Sequence, residues 1–510
     1  MRVRLVPLPL AALAAAFALA SCGGGGAGTD PAAVAPPRAP VFIDVTLRPD
    51  TETGEAIDSL AEAIAGVDDL GGLIVSELED DADEPVDFAT EVEPWLGERA
   101  GLFLDSYDGD DFQGYGIAIQ TTDAGAAREF VEDHAEEDGT PAKDASYADI
   151  EFKVEADGTA VGVVDDLVLL AEDQATFEEA VDASGGDSLA DSSQYSGAIE
   201  AAPADSFADL YVDLGGLIEQ SGDVVDPEVE GVLEGAGIEP GEATAVASLI
   251  PGEDRIEVDL STDATGENPT EGDASALLEA MPGGAVVAFS TAEFGDRLGE
   301  LVDTLDANGL GSDIQPGELK AGLAQVGVDL EAIADSVGDA AAFLESGPEG
   351  PGGALVMETT GPEAKDSIAG LGGLLGSAGV DGVSAVGNGL SGFSVRDPDL
   401  GDQPLVIAAK GDRVAIAYGM AAATKALTAA GPTLGEAAGF KAAAEALGDT
   451  PPAAFVEGPA LLEMIESLVG PGDPELEAIA AFLEPVEYLV VGSGAEGERS
   501  TAKLIVGVGR

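Results

Sequence analysis

The sequence is short of nearly everything that site chemistry draws on. Its 510 residues include one Cys, one His and one Trp; aromatic residues make up 5%, and only 20 Lys and Arg accompany 99 Asp and Glu. Each scarcity excludes something. One cysteine forbids an intramolecular disulfide and a thiolate zinc site. One histidine leaves any serine nucleophile a single imidazole to call on as base. A formal net charge of -79 repels nucleic acid, anionic headgroups and polyanionic wall polymers, and attracts cations and basic partners. Few aromatic side chains weigh against a sugar-stacking groove.

The lone cysteine is informative by position. Arg2 and Arg4 precede an apolar run from Leu5 to Leu19, and the run ends Leu19-Ala20-Ser21-Cys22. It is too short and too Pro-interrupted for a good permanent span, and it has the layout of a signal peptide. The last four residues resemble the lipobox of bacterial lipoproteins, which implies cleavage before Cys22 and acylation of its thiol. The expectation is a signal peptide over 1–21 and an extracytoplasmic protein held to the membrane by lipid (palmitate-type) chains on Cys22. Ordinary cleavage after Ala20 is the alternative. Residues 22–40, rich in Gly, Ala and Pro, read as a flexible tether.

With 45% hydrophobic residues and a mean hydropathy of +0.15, the chain beyond residue 40 can bury a core despite its charge. It also repeats itself. Thr121-Thr122-Asp123 recurs as Thr359-Thr360-Gly361, Asp166-Leu167-Val168 as Asp412-Arg413-Val414, Tyr211-Val212-Asp213 as Phe455-Val456-Glu457, and Asp226-Pro227-Glu228 as Asp473-Pro474-Glu475. The offsets are 238, 246, 244 and 247 residues, too long a period for a solenoid. Two tandem copies are expected, over 41–270 and 271–510. Residues 41–280 hold 64 acidic and 6 basic residues, and 281–510 hold 34 and 11, so the copies differ in charge.

Within the first copy, strands are expected at 41–47, 100–106, 115–120, 150–155, 159–164, 167–171, 209–214 and 255–260, and helices at 55–67, 91–96, 124–136 and 176–182. Strands follow one another in hairpin fashion, so the fold class is α+β: a mainly antiparallel sheet with helices packed on one face in each copy.

Candidate chemistry is thin. Gly186-Asp187-Ser188-Leu189 matches the nucleophile block of GDSL-type esterases as a string, but His134 lies upstream in an acidic helix and Ser188 aligns with Thr433 of the second copy. Gly387-Asn388-Gly389-Leu390-Ser391-Gly392 matches a dinucleotide fingerprint, yet a strand follows it where a helix is needed. Asp105, Asp108, Asp110 and Asp111 cluster where a hard cation could be held, although the spacing is not that of an EF-hand loop. An acidic hairpin tip is the plainer reading, and the second copy has Glu345-Ser346-Gly347-Pro348-Glu349 there. No cofactor motif is found.

Thr46-Leu47-Arg48-Pro49-Asp50 after the first strand, and Ser188-Leu189-Ala190-Asp191 leading into Pro203-Ala204-Asp205-Ser206-Phe207, resemble an uncharacterised family of actinobacterial-type envelope lipoproteins, the domain of unknown function 3352 family. The second copy departs from the first stretch, with Thr291-Ala292-Glu293-Phe294. The resemblance implies an envelope location and no known activity or functional residue. The function expected is a non-enzymatic binding or structural role in the cell envelope, with an envelope protein or small ligand as partner, cations as a further candidate, and any ligand seated between the copies. The alternatives are a carboxylate-dependent hydrolase of wall glycans and a pure assembly scaffold.

Overall fold

Among the described residues, short runs of Val, Ile, Leu and Ala bounded by Asp and Gly become antiparallel strands, most of them paired with the strand that precedes or follows in the chain. The structure, a computed structural model, describes residues 28–67, 70–73, 75, 86–107, 112–137, 140–221, 243–263, 272–299, 302, 320–321, 324, 329–348, 350–360, 368, 382–387, 389–396, 401–428, 431–469, 480, 483–496 and 499–509. Two units are distinguished: Met1–Pro269 with Ala495–Ala502 and Val508–Arg510, and Thr270–Gly494 with Lys503–Gly507.

The strands of unit 1 are β1 (Val41–Thr46), β2 (Leu96–Tyr107), β3 (Phe112–Thr121), β4 (Lys143–Tyr147), β5 (Ile150–Val154), β6 (Ala160–Val164), β7 (Leu167–Ala171), β8 (Ala208–Asp213), β9 (Thr244–Gly252) and β10 (Arg255–Asp263). They pair antiparallel in the order β10–β9–β8–β1–β2–β3–β7–β6–β5–β4. Helices α1 (Thr51–Ala65), α2 (Ala124–His134), α3 (Gln174–Gly185), α4 (Ser193–Ile199) and α5 (Leu214–Ser221) are interspersed. Aspartate starts three of them. Asp50, Asp123 and Asp173 each follow a strand and accept backbone N–H bonds from Thr53, from Gly125 and Ala126, and from Thr176. Such a cap satisfies donors that the first helical turn leaves unpaired, so the chain changes from a period of two to one of 3.6 there.

The α+β class holds, but helices cover both faces of the unit 1 sheet, where one face was expected. Leu167, Leu169 and Ala171 of β7 pack with Phe177, Ala180 and Val181 of α3. Val168 between them packs with Ala127 and Val131 of α2. Alternate residues therefore face different helices, and with β7 buried on both sides its run is continuously apolar.

Unit 2 has β11 (Ala285–Thr291), β12 (Val337–Gly347), β13 (Gly350–Thr359), β14 (Val383–Ala385), β15 (Ser391–Val395), β16 (Leu405–Lys410), β17 (Arg413–Tyr418), β18 (Pro452–Glu457) and nearly all of β19 (Val486–Glu496), while β20 (Arg499–Val508) is divided, Lys503–Gly507 counting with unit 2 and the rest with unit 1. Its antiparallel order is β19–β18–β11–β12–β13–β17–β16–β15–β14. Strand for strand, that is the order from β9 to β4 in unit 1. The helices are α6 (Ser275–Glu279), α7 (Leu330–Ser336), α8 (Met420–Thr428), α9 (Ala438–Ala446) and α10 (Gly458–Val469).

Individual contacts recur as well. Thr121 N donates to Asp166 O (2.9 Å), and Thr359 N to Asp412 O (2.7 Å). Tyr195 meets Tyr211 edge-on at 5.1 Å, and Phe440 meets Phe455 edge-on at 5.4 Å. The repeated Asp-Pro-Glu stretches at 226–228 and 473–475 lie outside the described residues.

One expectation needs correction. Residues 28–40 do not belong to a loose tether. Asp30 caps a 3₁₀ turn over Pro31–Val34. Ala32, Val34, Ala35 and Ala39 are each at most 1% exposed, within the core that holds Phe42, Phe103 and Phe177. Ala35 O accepts from Leu189 N (3.0 Å), and Pro40 O accepts from Asp213 N (2.8 Å). Composition misled because Ala and Pro bury little area apiece, yet small side chains are what a thin gap between sheet and helices admits. Unit 2 repeats the arrangement, since Met281 O, just after α6, accepts from Leu434 N (2.7 Å).

A chain trimmed to begin at Val41 should lose on the order of 3 kcal/mol of unit 1 stability, through exposure of Phe42 and its neighbours. One trimmed to begin at Gly28 should lose none. Urea unfolding followed by circular dichroism distinguishes the two.

Candidate functional site

The residues singled out in the sequence do not converge. Ser188 is 3% exposed, and its Oγ donates to Asp191 Oδ2 (3.0 Å), which also accepts from Ser188 N (3.2 Å). This is a capping box on the 3₁₀ turn Leu189–Asp191, and Thr433 with Glu436 builds the same box on Leu434–Glu436. The hydroxyl serves local structure in both units. His134 closes α2, stacks on Phe130 at 4.4 Å and has its Nδ1 3.0 Å from Phe130 O, with Glu91 4.0 Å from its Nε2. It is half-buried against an aromatic ring, more enclosed than a solvated helix position. Trp95 is 4% exposed with its indole N–H donated to Glu91 O (2.7 Å), so it offers no face to a sugar.

Of the acidic cluster, Asp105 alone is described; Asp108, Asp110 and Asp111 lie outside the described residues, as does Cys22. Burial raises the Asp105 pKa above the ordinary carboxylate value, and the charge of Glu179 adds to the shift. Among the described residues no group of three or more His, Cys, Asp or Glu could hold a metal ion. The Gly387–Gly392 string runs into strand β15, with Gly389 and Gly392 at positive φ; a strand cannot present a helix N-terminus to pyrophosphate.

Two features were not visible in the sequence. The first is a polar cluster in unit 1. Asp44 on β1 is 5% exposed and receives Arg99 Nε (3.0 Å) and Nη2. Arg99 N donates to Gln120 Oε1 (3.1 Å), and Gln120 Nε2 donates to Thr29 O (2.8 Å). Burial pushes Asp44 upward against the opposing pull of Arg99, and burial raises Tyr195 strongly. Ion pairing satisfies a carboxylate that could not otherwise be buried here.

The second is an apolar groove of about 490 Å³ on one face of the unit 2 sheet. Strand register builds it. Phe289, Ala342, Leu355 and Ile416 form one row across β11, β12, β13 and β17. Val287, Leu344, Gly353, Tyr418 and Leu405 form the next, across β11, β12, β13, β17 and β16. Ala342 falls mid-row between Phe289 and Leu355 with only a methyl group to fill the space, and Gly353 lets the Leu344 side chain close in on the β13 backbone. Neighbours of opposite parity, Ala288, Phe343, Val356 and Ala415, face the core. Among the described residues no charged side chain lines the groove, in a chain of which 23% is charged. Phe289, Leu344 and Ile416 are 50%, 47% and 39% exposed there.

A family profile described as "Protein of unknown function (DUF3352)" matches residues 74–450. The chain belongs to this family. No curated protein matches. Among solved structures, crystal form IV of TP0453 aligns at 9% identity and a TM-score of 0.26, covering 46% of this chain and 81% of that one. Crystal form III aligns at 10% and 0.26, covering 61% and 98%. Likeness at that level carries no argument for this DUF3352 protein. Among the described residues no helix is long and apolar enough to cross a membrane.

Two outcomes follow. Ser188→Ala should cost about 0.5–2 kcal/mol through the lost cap, read as a lower melting temperature. A folded-state pKa above its unfolded value means that Asp105 contributes stability below pH 3.8, which fades as pH rises through the raised value. The stability of the wild type relative to Asp105→Asn should therefore fall as pH rises above 3.8, measured by urea midpoints at each pH.

Proposed function

We propose that this protein is a lipid-anchored, extracytoplasmic binding protein of the cell envelope, made of two copies of one fold, and that its ligand is an uncharged or weakly polar hydrophobic molecule seated in the unit 2 groove. The groove is the observation that carries the reading. A contiguous exposed apolar patch on a protein surface marks an interaction site, and a concavity of a few hundred Å³ lined by Leu, Ile and Phe suits a hydrocarbon-bearing ligand. The shared strand order, the paired capping boxes and the recurring Thr–Asp hydrogen bonds support the two-copy reading. That reading begins the first copy near Gly28, because the segment ahead of the first strand is packed in both. Anchorage rests on the sequence around Cys22, and the binding role needs no catalytic group.

Binding of the neutral dye N-phenyl-1-naphthylamine tests the groove. The wild type should enhance its fluorescence saturably. Ala342→Phe, which fills the hollow without adding charge, should weaken binding at least tenfold, the loss of about 1.4 kcal/mol. Ile64→Asn, at an exposed apolar residue of α1, should leave binding unchanged. Equal binding by Ala342→Phe and wild type would remove the groove from the account and leave a scaffold role as the better reading.

A further inference from the structure

Docking of the N-terminal segment fixes where a lipid anchor could hold the protein. Gly28 packs against the Gln120 side chain, with room of only 3.2 Å for an added Cβ, and Thr29 O is bonded by Gln120 Nε2. Gln120 stands at the end of β3, one residue from Thr121, whose N–H is bonded by Asp166 O of the β6–β7 turn. Gly28 and Thr29 are thus docked at one particular end of the unit 1 sheet, the end marked by Gln120, Arg99 and Asp166. Six residue steps separate Cys22 from Gly28. Six steps of chain cannot span more than about 20–22 Å. A tether running to Pro40 would have allowed about 60 Å.

We infer that the sheet end carrying Gln120 and the Asp165–Asp166 turn is held against a lipid surface, and that the opposite end, with the Glu155–Thr159 turn, points away from it. The inference rests on the acylation of Cys22 proposed above. Carboxylates of Glu98, Asp165 and Asp166 at this end disfavour close approach to anionic headgroups, but screening over about 8 Å at physiological ionic strength makes that repulsion shorter in range than the tether. The surface is therefore approached without being penetrated.

Acylation would consume the only native thiol, so an introduced cysteine is the only one open to labelling. Asp166→Cys and Ala156→Cys, both exposed, lie at opposite ends of the β6 strand, roughly 15–20 Å apart. Each full-length acylated variant is labelled with bimane and reconstituted on phosphatidylcholine vesicles containing headgroup-nitroxide lipid. The expected result is quenching at Asp166→Cys at least threefold greater than at Ala156→Cys, and loss of that difference when a long Gly/Ser insert is placed between Ala27 and Gly28. Equal quenching at both sites in vesicle-bound protein overturns the inference alone. Failure to float with vesicles, shared with Cys22→Ser, overturns the anchor and the inference with it.

Discussion

The interaction on which the rest depends is closure of the sheet face by the chain that precedes its first strand. In unit 1 the hydrogen bond from Leu189 N to Ala35 O ties the 3₁₀ turn before β1 to the capping-box turn after α3. Beneath it, Phe42, Phe103 and Phe177 are fully buried. Without that cover the aromatic centre of the sheet would meet water, at about 25 cal/mol for each Å² exposed. Unit 2 has the equivalent bond from Leu434 N to Met281 O. A fold with no disulfide available has to close itself by packing, and small residues at the closing seam allow close approach.

The units differ where they surround their matched aromatic pair. Around Tyr195 and Tyr211, unit 1 gathers Asp44, Arg99 and Asp209. In unit 2, Ser290 stands two residues beyond Ala288, the partner of Phe455, as Asp44 stands two beyond Phe42, the partner of Tyr211, and a hydroxyl there forms no buried ion pair. Unit 2 in turn leaves Phe289, Leu344 and Ile416 exposed. The two units, with the same strand order, thus differ in where polarity and exposed apolar area are placed.

Much of this was legible in the sequence, for local reasons. The strand at Leu167–Ala171 has the bounds its apolar run predicts, and the helix expected from Ala124 starts there, whereas the one expected from Thr176 starts two residues earlier, after the cap Asp173. Where local signals competed, reading failed. The helix expected at 91–96 is a wide helical turn over Phe88–Val92, and Leu96 already belongs to β2, because pairing of Leu96 with Thr121 outweighs a weak helical preference. Strand β9 and helices α4 and α5 carry no periodic signal strong enough to predict. Both polar cluster and groove depend on register between distant strands, which a single sequence does not encode in any one window.

Strand order also has a consequence for synthesis. In each unit the first strand made lies between the second and the eighth, so β1 pairs Val41 with Leu104 on one edge and with Val212 on the other. A chain emerging N-terminus first carries β1 with one edge unsatisfied until about 170 residues more have appeared. For that interval an apolar strand is open to pairing with any other chain. The dense carboxylates of residues 41–280 are present throughout it, and their mutual repulsion keeps unfinished chains apart before either unit can close.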